Sequence, residues 1–272
     1  IEDHRLITGK GKFTANIRPT EALVVKFLRS PIACGVIRSI DIRDAKSMPG
    51  VVNIFTAQDM AADGVTHMLD TAKPVRDDGG TVINPRRPIL NSSDIKHLGE
   101  PIAIIIAQTS EQADNALEAI FVDYSDSDSA LLSSENTDSP LVWPEGQDNY
   151  ASYHHVGDAT KLQEAEANAA HLITVPIHIS RITAVAMEPR ISLCDIDPEG
   201  KLIFTTSTQN PFALRAEIMK TFSLETANIQ VIAPDVGGSF GMKGTLYRED
   251  AALIWASRKI GRALCWSASR SE

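Results

Sequence analysis

Ile232-Ala233-Pro234-Asp235-Val236-Gly237-Gly238-Ser239-Phe240-Gly241-Met242-Lys243 is the stretch on which the reading of this chain turns. Residues 228–233 read as a strand and 235–244 as a glycine-rich turn. Residues 248–258 read as a helix whose Ala251, Ala252, Ile254, Trp255 and Ala256 imply deep burial. Glycines in such a turn let the backbone approach a ligand closely and leave N–H groups to receive an anion, although a tight turn required by packing is the plainer reading. The phosphate-loop pattern is not met, because Lys243 follows Met242 instead of glycine and no Ser or Thr follows it; the dinucleotide pattern G-x-G-x-x-G fails as well. Gly237-x-Ser239-x-Gly241 does satisfy G-x-S-x-G after a strand, the nucleophile elbow of a serine hydrolase. That chemistry needs an acid and then a histidine after the serine, and the last histidine of the chain is His178. A non-enzymatic binding module is a further alternative.

Upstream of the turn, Pro211 is placed to open a helix, on which Phe212, Ala216, Met219 and Phe222 are expected to form the apolar face. Residues 192–197 and 202–206 flank Asp197-Pro198-Glu199-Gly200 and predict a hairpin, and residues 171–179 alternate weakly as a strand would. In the first half, residues 102–107 are a continuous apolar strand. Thr109-Ser110 can cap a helix from Glu111, along which Ala113, Ala116, Leu117 and Ile120 recur at helical spacing before a strand over 121–124. Short strands are expected over 22–28, 35–42 and 51–55, the last after the turn Met48-Pro49-Gly50. Residues 64–95, with Asp77-Asp78-Gly79-Gly80 and three prolines, read as a surface loop. Residues 125–150 are rich in Ser, Asp, Pro and Asn and read as an interdomain connection, with a boundary near 135.

The 272 residues carry a formal charge of −9, from 26 Lys and Arg against 35 Asp and Glu, and predict two domains large enough for their own cores. An acidic balance without a basic run argues against a nucleic-acid partner. The longest strongly apolar run, 102–107, is far short of the ~20 residues of a membrane span. Opening at Ile1 without methionine or a leader, the sequence leads us to expect residues missing upstream. Cys34, Cys194 and Cys265 are widely spaced and read as reduced residues of a cytoplasmic protein, with no zinc or iron–sulfur pattern. His154-His155 would point to opposite faces of a strand, and His4, His67, His97 and His171 lack ligand spacing, so no direct metal ligand is expected. Glu249-Asp250 are expected to complement the dipole of the last helix.

Blocks along nearly the whole chain resemble, in order, the large subunit of the molybdenum hydroxylases, the family of xanthine dehydrogenase, aldehyde oxidase and aerobic carbon monoxide dehydrogenase. They are Arg5-Leu6-Ile7-Thr8-Gly9-Lys10-Gly11, Arg29-Ser30-Pro31, Met48-Pro49-Gly50-Val51-Val52, Leu98-Gly99-Glu100-Pro101-Ile102-Ala103, Ala186-Met187-Glu188-Pro189-Arg190, Thr208-Gln209-Asn210-Pro211, the 232–243 stretch and Arg270-Ser271-Glu272. The resemblance implies an α+β fold, with a hammerhead-type α/β domain over 9–128 followed by an incomplete first molybdopterin-binding domain over 140–272. It also implies that the chain is the N-terminal portion of its subunit.

The resemblance gives Gln209 the place of the glutamine whose amide hydrogen-bonds a terminal oxygen ligand of molybdenum. It gives Phe240 the place of the phenylalanine beside the metal, and Gly237, Gly238, Ser239 and Gly241 the backbone of the cofactor loop. Gly-Ser-Phe departs from the more frequent triple glycine, and Gly244 stands where purine-oxidising members have a substrate-binding glutamate, which favours carbon monoxide, aldehydes or other N-heterocycles as substrate. The implied cofactor is molybdenum in molybdopterin, as its cytosine dinucleotide, with 2Fe-2S and FAD on an iron–sulfur subunit and a flavin subunit. The general base of the family, a glutamate, is expected in the missing C-terminal half. No catalytic residue is therefore expected here, the chain is expected to be inactive alone, and Glu188 is expected to pair with Arg190 or backbone groups.

Overall fold

The computed structural model describes residues 3–69, 74–130, 139–180 and 182–272. Ten strands are described: β1 Leu23–Arg29, β2 Gly35–Asp41, β3 Val51–Thr56, β4 Asp94–Ile95, β5 Pro101–Ala107, β6 Phe121–Asp126, β7 Ile191–Ile196, β8 Leu202–Thr206, β9 Ile229–Ile232 and β10 Leu264–Ser267. The helices are α1 Asp3–Ile7, α2 Arg43–Lys46, α3 Ala57–Ala62, α4 Ser110–Glu118, α5 Ala159–Asn168, α6 Pro211–Phe222 and α7 Arg248–Ile260. The larger sheet has the order β3-β5-β1-β10-β7-β8-β9, and the smaller one the order β4-β2-β6.

β5 explains why its sequence is apolar without alternation. Ile104 and Ile106 enter the main core with Phe27, Trp255 and Trp266, while Ala103, Ile105 and Ala107 pack on the other face with Ala113 and Ala116 of α4. Both faces of the strand are covered, so neither admits polar residues. Thr109 caps α4 by accepting from the Gln112 N–H at 3.2 Å. The strand–helix–strand order holds, but β6 leaves for the smaller sheet and pairs with β2.

β10, which pairs parallel with β1 and antiparallel with β7, was not anticipated, nor was α5. The larger sheet therefore takes strands from both sides of the 125–150 connection. Part of that connection, 131–138, lies outside the described residues. The chain divides into two compact units, one of residues 1–70, 86–140 and 184–272, the other of residues 71–85 and 141–183. In the second unit Arg76 is clamped by Asp78 at 2.7 Å and Asp148 at 2.9 Å. His154 receives its partner there too, Asp77, at 2.6 Å.

Three expectations are corrected. The buried face of α6 is Leu214 and Ile218, with Met219 and Phe222 partly buried, whereas Phe212 and Ala216 face solvent. The 64–95 stretch is not wholly superficial: Met68, Ile89, Leu90 and Ile95 are buried, the first three in the main core and Ile95 between the smaller sheet and β5. Residues 171–179 form no strand, because no neighbouring strand pairs with them among the described residues, and Ile173, Ile177 and Ile179 stand exposed. No described helix is long and apolar enough to cross a membrane.

Candidate functional site

β8, α6 and β9 form a strand–helix–strand unit whose strands are parallel neighbours, in register from Leu202 opposite Ile229 to Thr205 opposite Ile232. Parallel pairing brings the segments after both strands to one end of the sheet: residues 207–210, which lead into α6, and the glycine-rich turn that leads to α7. β7 is antiparallel to β8, with Ser192 opposite Thr206, so the residues before β7 reach the same end. Sequence-distant Glu188, Gln209 and residues 237–243 meet there.

Gln209 and Lys243 are joined through the backbone, the Gln209 N–H donating to the Lys243 carbonyl at 3.0 Å. The Thr208 hydroxyl donates to that same carbonyl at 2.9 Å. The Gln209 side chain lies over the turn: its Oε1 accepts from the Gly241 N–H at 3.2 Å and from the Ser239 hydroxyl. A backbone N–H can only donate, so the oxygen of this carboxamide faces the turn and its NH2 faces out. That NH2 has no partner among the described residues.

Phe240 is the one turn residue other than glycine with a positive φ, 51°, and the residue is 80% exposed. Gly238 and Gly241, at φ 99° and 93°, turn the backbone to either side of it, in a region that favours glycine. Gly237 is required by space: an added Cβ would stand 2.5 Å from the Glu188 Cβ.

Glu188 does not pair with Arg190, as was one expectation; the other, a backbone partner, is met. Its Oε2 accepts from the Gly237 N–H at 2.8 Å and from Lys243 Nζ at 3.0 Å, and Nζ also donates to the Glu188 carbonyl at 2.9 Å. The two side chains are 12% and 3% exposed, so this is a buried ion pair that ties the 186–190 segment to the glycine-rich turn. Glu188 Oε1 is buried without a partner among the described residues. Arg270 anchors the same segment, donating to the Ala186 and Met187 carbonyls at 2.5 and 2.6 Å. At the start of the turn Asp235 receives the Arg5 guanidinium and the Lys12 N–H, and Arg5 above all lowers its carboxyl to about 2.

Arg190 turns to α7 instead. It stacks 4.1 Å above the Tyr247 ring and pairs with Glu249 at 3.3 Å, while Arg29 reaches Glu249 at 2.8 Å. Burial raises the Glu249 carboxyl, but Arg190 and Arg29 outweigh it and hold it below its ordinary value. Asp250 is fully buried and pushed up to about 6 by desolvation, against the Ser192 hydroxyl that donates to it at 2.6 Å. Glu249 and Asp250 stand in the first turn of α7, where acidic groups complement the helix dipole, and Asp250 also accepts the Tyr247 N–H at 3.2 Å; both are in addition buried members of polar networks.

The serine-hydrolase geometry is absent. The Ser239 hydroxyl is engaged with Gln209 Oε1 and with the Lys243 N–H at 3.0 Å, no described histidine bonds it, and the strained φ falls on Phe240. Burial lifts the Cys194 thiol to about 12, against reactivity at neutral pH. No cluster of His, Cys, Asp and Glu able to hold a metal occurs among the described residues.

A mixed sheet, flanked by helices and presenting a glycine-rich turn at the ends of two parallel strands, defines the class of the protein, and comparison with known proteins gives the family. Residues 8–128 match the aldehyde oxidase and xanthine dehydrogenase a/b hammerhead domain, and residues 142–272 the molybdopterin cofactor-binding domain. The chain belongs to the molybdenum hydroxylase family of molybdopterin-binding large subunits. All of it aligns with 33% of the nicotine 6-hydroxylase large subunit of Paenarthrobacter nicotinovorans, at 28% identity. It aligns likewise with 34% of the carbon monoxide dehydrogenase large chain of Hydrogenophaga pseudoflava, at 25% identity. The crystal structure of quinoline 2-oxidoreductase from Pseudomonas putida 86 superposes with a TM-score of 0.86 at 27% identity, over 98% of this chain and 34% of that one. The chain spans about a third of the length of these relatives.

Proposed function

We propose that this chain supplies one wall of the cofactor site of a molybdenum oxidoreductase that hydroxylates or oxidises a small substrate, an aldehyde, an N-heterocycle or carbon monoxide, with oxygen from water. The observation that carries this reading is the outward NH2 of Gln209, a donor fixed at its oxygen end and without a partner at its nitrogen end. It fits a terminal oxygen ligand on the metal: an uncharged amide can donate to that oxygen without neutralising a group that changes charge in turnover.

Gly237, Gly238, Ser239, Phe240 and Gly241 would hold the cofactor edge. Gly238 and Gly241 shape the backbone at Phe240, whose exposed ring offers a wall that excludes water. Bound molybdenum in molybdopterin, in the cytosine dinucleotide form, supplies two-electron redox chemistry. An iron–sulfur subunit with 2Fe-2S and a flavin subunit with FAD would be the partners that take up the electrons. In this reading 9–128 and 140–272 are the two domains, the protein works in the cytoplasm, and the chain is inactive until joined by the part of the subunit that carries the base.

Gln209→Ala tests the role directly in the assembly purified from its source. Turnover is expected to fall at least tenfold with the molybdenum content and melting temperature nearly unchanged. Unaltered kinetics would remove Gln209 from the site.

A further inference from the structure

We infer that Ser239 is a positioning residue that sets the orientation of the Gln209 carboxamide, so that its NH2, and not its oxygen, is presented to a ligand. The inference rests on the function proposed above and concerns a residue that sets this chain apart from the more frequent triple-glycine loop.

Three bonds fix the arrangement. The Lys243 N–H donates to Ser239 Oγ at 3.0 Å, which occupies a lone pair of the hydroxyl and leaves its proton to be given elsewhere. That proton goes to Gln209 Oε1, which also accepts from the Gly241 N–H at 3.2 Å. With two donors on its oxygen the carboxamide cannot rotate by half a turn without placing NH2 against an N–H, so the NH2 stays outward. A glycine at 239 would leave the single bond from Gly241, and the Lys243 N–H would lose its acceptor.

The relay is itself braced. Lys243 contributes its carbonyl to the Gln209 N–H and its N–H to Ser239, and its ammonium is locked on Glu188. The main chain and the side chain of Gln209 are thus both referred to one buried residue. A ligand acceptor facing this NH2, such as a metal-bound oxygen, meets a donor already aimed, and no side-chain rotation has to be frozen on binding.

The test compares Ser239→Ala, Ser239→Thr, Gln209→Ala and the double Ser239→Ala/Gln209→Ala variant in the assembly purified from its source. Ser239 lies outside the positive-φ region, so alanine and threonine are compatible with its backbone. For Ser239→Ala the molybdenum content is expected to stay at the wild-type level. kcat is expected to fall about tenfold, with KM within about twofold. The electron paramagnetic resonance spectrum of Mo(V) should move towards that of Gln209→Ala, Ser239→Thr should restore it, and the double variant should be no slower than Gln209→Ala alone. A wild-type spectrum and kcat in Ser239→Ala, or losses that multiply in the double variant, would overturn the inference.

A crystal structure of Ser239→Ala reads the same point without the metal. The Gln209 carboxamide should be turned or divided between two rotamers, and one unchanged rotamer would refute the positioning role. If the wild-type assembly contained no molybdenum, the proposed function would fall, while the rotamer would still decide the role of Ser239.

Discussion

Lys243→Met removes the ammonium from an ion pair that is almost wholly out of water while keeping a side chain of similar length to fill its channel. The Lys243 and Glu188 side chains are 3% and 12% exposed, and Nζ makes two bonds to Glu188, at 2.9 and 3.0 Å. Taking one partner from a buried pair costs about 3–5 kcal/mol, because the other charge is left without compensation. Glu188 keeps the Gly237 N–H at 2.8 Å, which places the loss near the lower end, about 3 kcal/mol. At roughly 2–4 °C per kcal/mol for a protein of this size, Tm should fall by about 6–12 °C. Urea titration at pH 7 of wild type, Lys243→Met, Glu188→Gln and the double variant measures it. The double variant buries no charge and should recover about 1–2 kcal/mol relative to Lys243→Met. A loss below about 1 kcal/mol in Lys243→Met, or a double variant as unstable as the sum of the singles, would refute the reasoning.

Asp250→Asn should change the pH dependence of stability in a defined direction. The folded carboxyl, pushed up to about 6 by burial, binds its proton more tightly than the unfolded one near 3.8. That contribution is complete below 3.8 and lost as pH rises through about 6. Urea titrations from pH 4 to 7 should show wild type losing about 2 kcal/mol relative to the variant, and parallel profiles would contradict the assignment. Gly237→Ala should act on the loop through space: the new methyl meets the Glu188 Cβ at 2.5 Å, so the 186–190 segment must shift. A loss of about 1–3 kcal/mol is expected, together with a lower molybdenum content by mass spectrometry; full metal loading with wild-type stability would show that the loop has room.

Local sequence carried those parts of the fold whose determinants are local. The unbroken apolar run of β5, the cap at Thr109, the turn between β7 and β8 and the glycines around Phe240 each state their conformation within a few residues. Partnership across the chain was hidden. The pairing of β1 with β10 joins residues about 240 positions apart, and nothing within Leu264-Cys265-Trp266 names its neighbours. Apolar character alone does not mark the buried face of α6: Phe212 is large and apolar, yet it lies exposed in the first helical turn, while Leu214 and Ile218 are buried.

The same distinction governs the site. Gln209 and the 237–241 loop were singled out by their likeness to family blocks, and the parallel β8–β9 pair brings them together. In the sequence Lys243 marks only a departure from the phosphate-loop pattern, and its buried pairing with Glu188 depends on β7 running antiparallel to β8. Arg270, which clamps the Ala186 and Met187 carbonyls, gave no signal beyond its membership of a family block. The Ser239 departure from triple glycine was visible in sequence, but its bond to Gln209 requires both loops in place.

The central claim is that this chain forms part of a molybdenum cofactor site. Native mass spectrometry of the protein purified from its source, with molybdenum, iron, flavin and pterin quantified in the same sample, tests it most directly. The account predicts companion polypeptides carrying iron and flavin, and about one molybdenum with its pterin per copy of this chain. Assemblies that contain the chain but neither molybdenum nor pterin would contradict it.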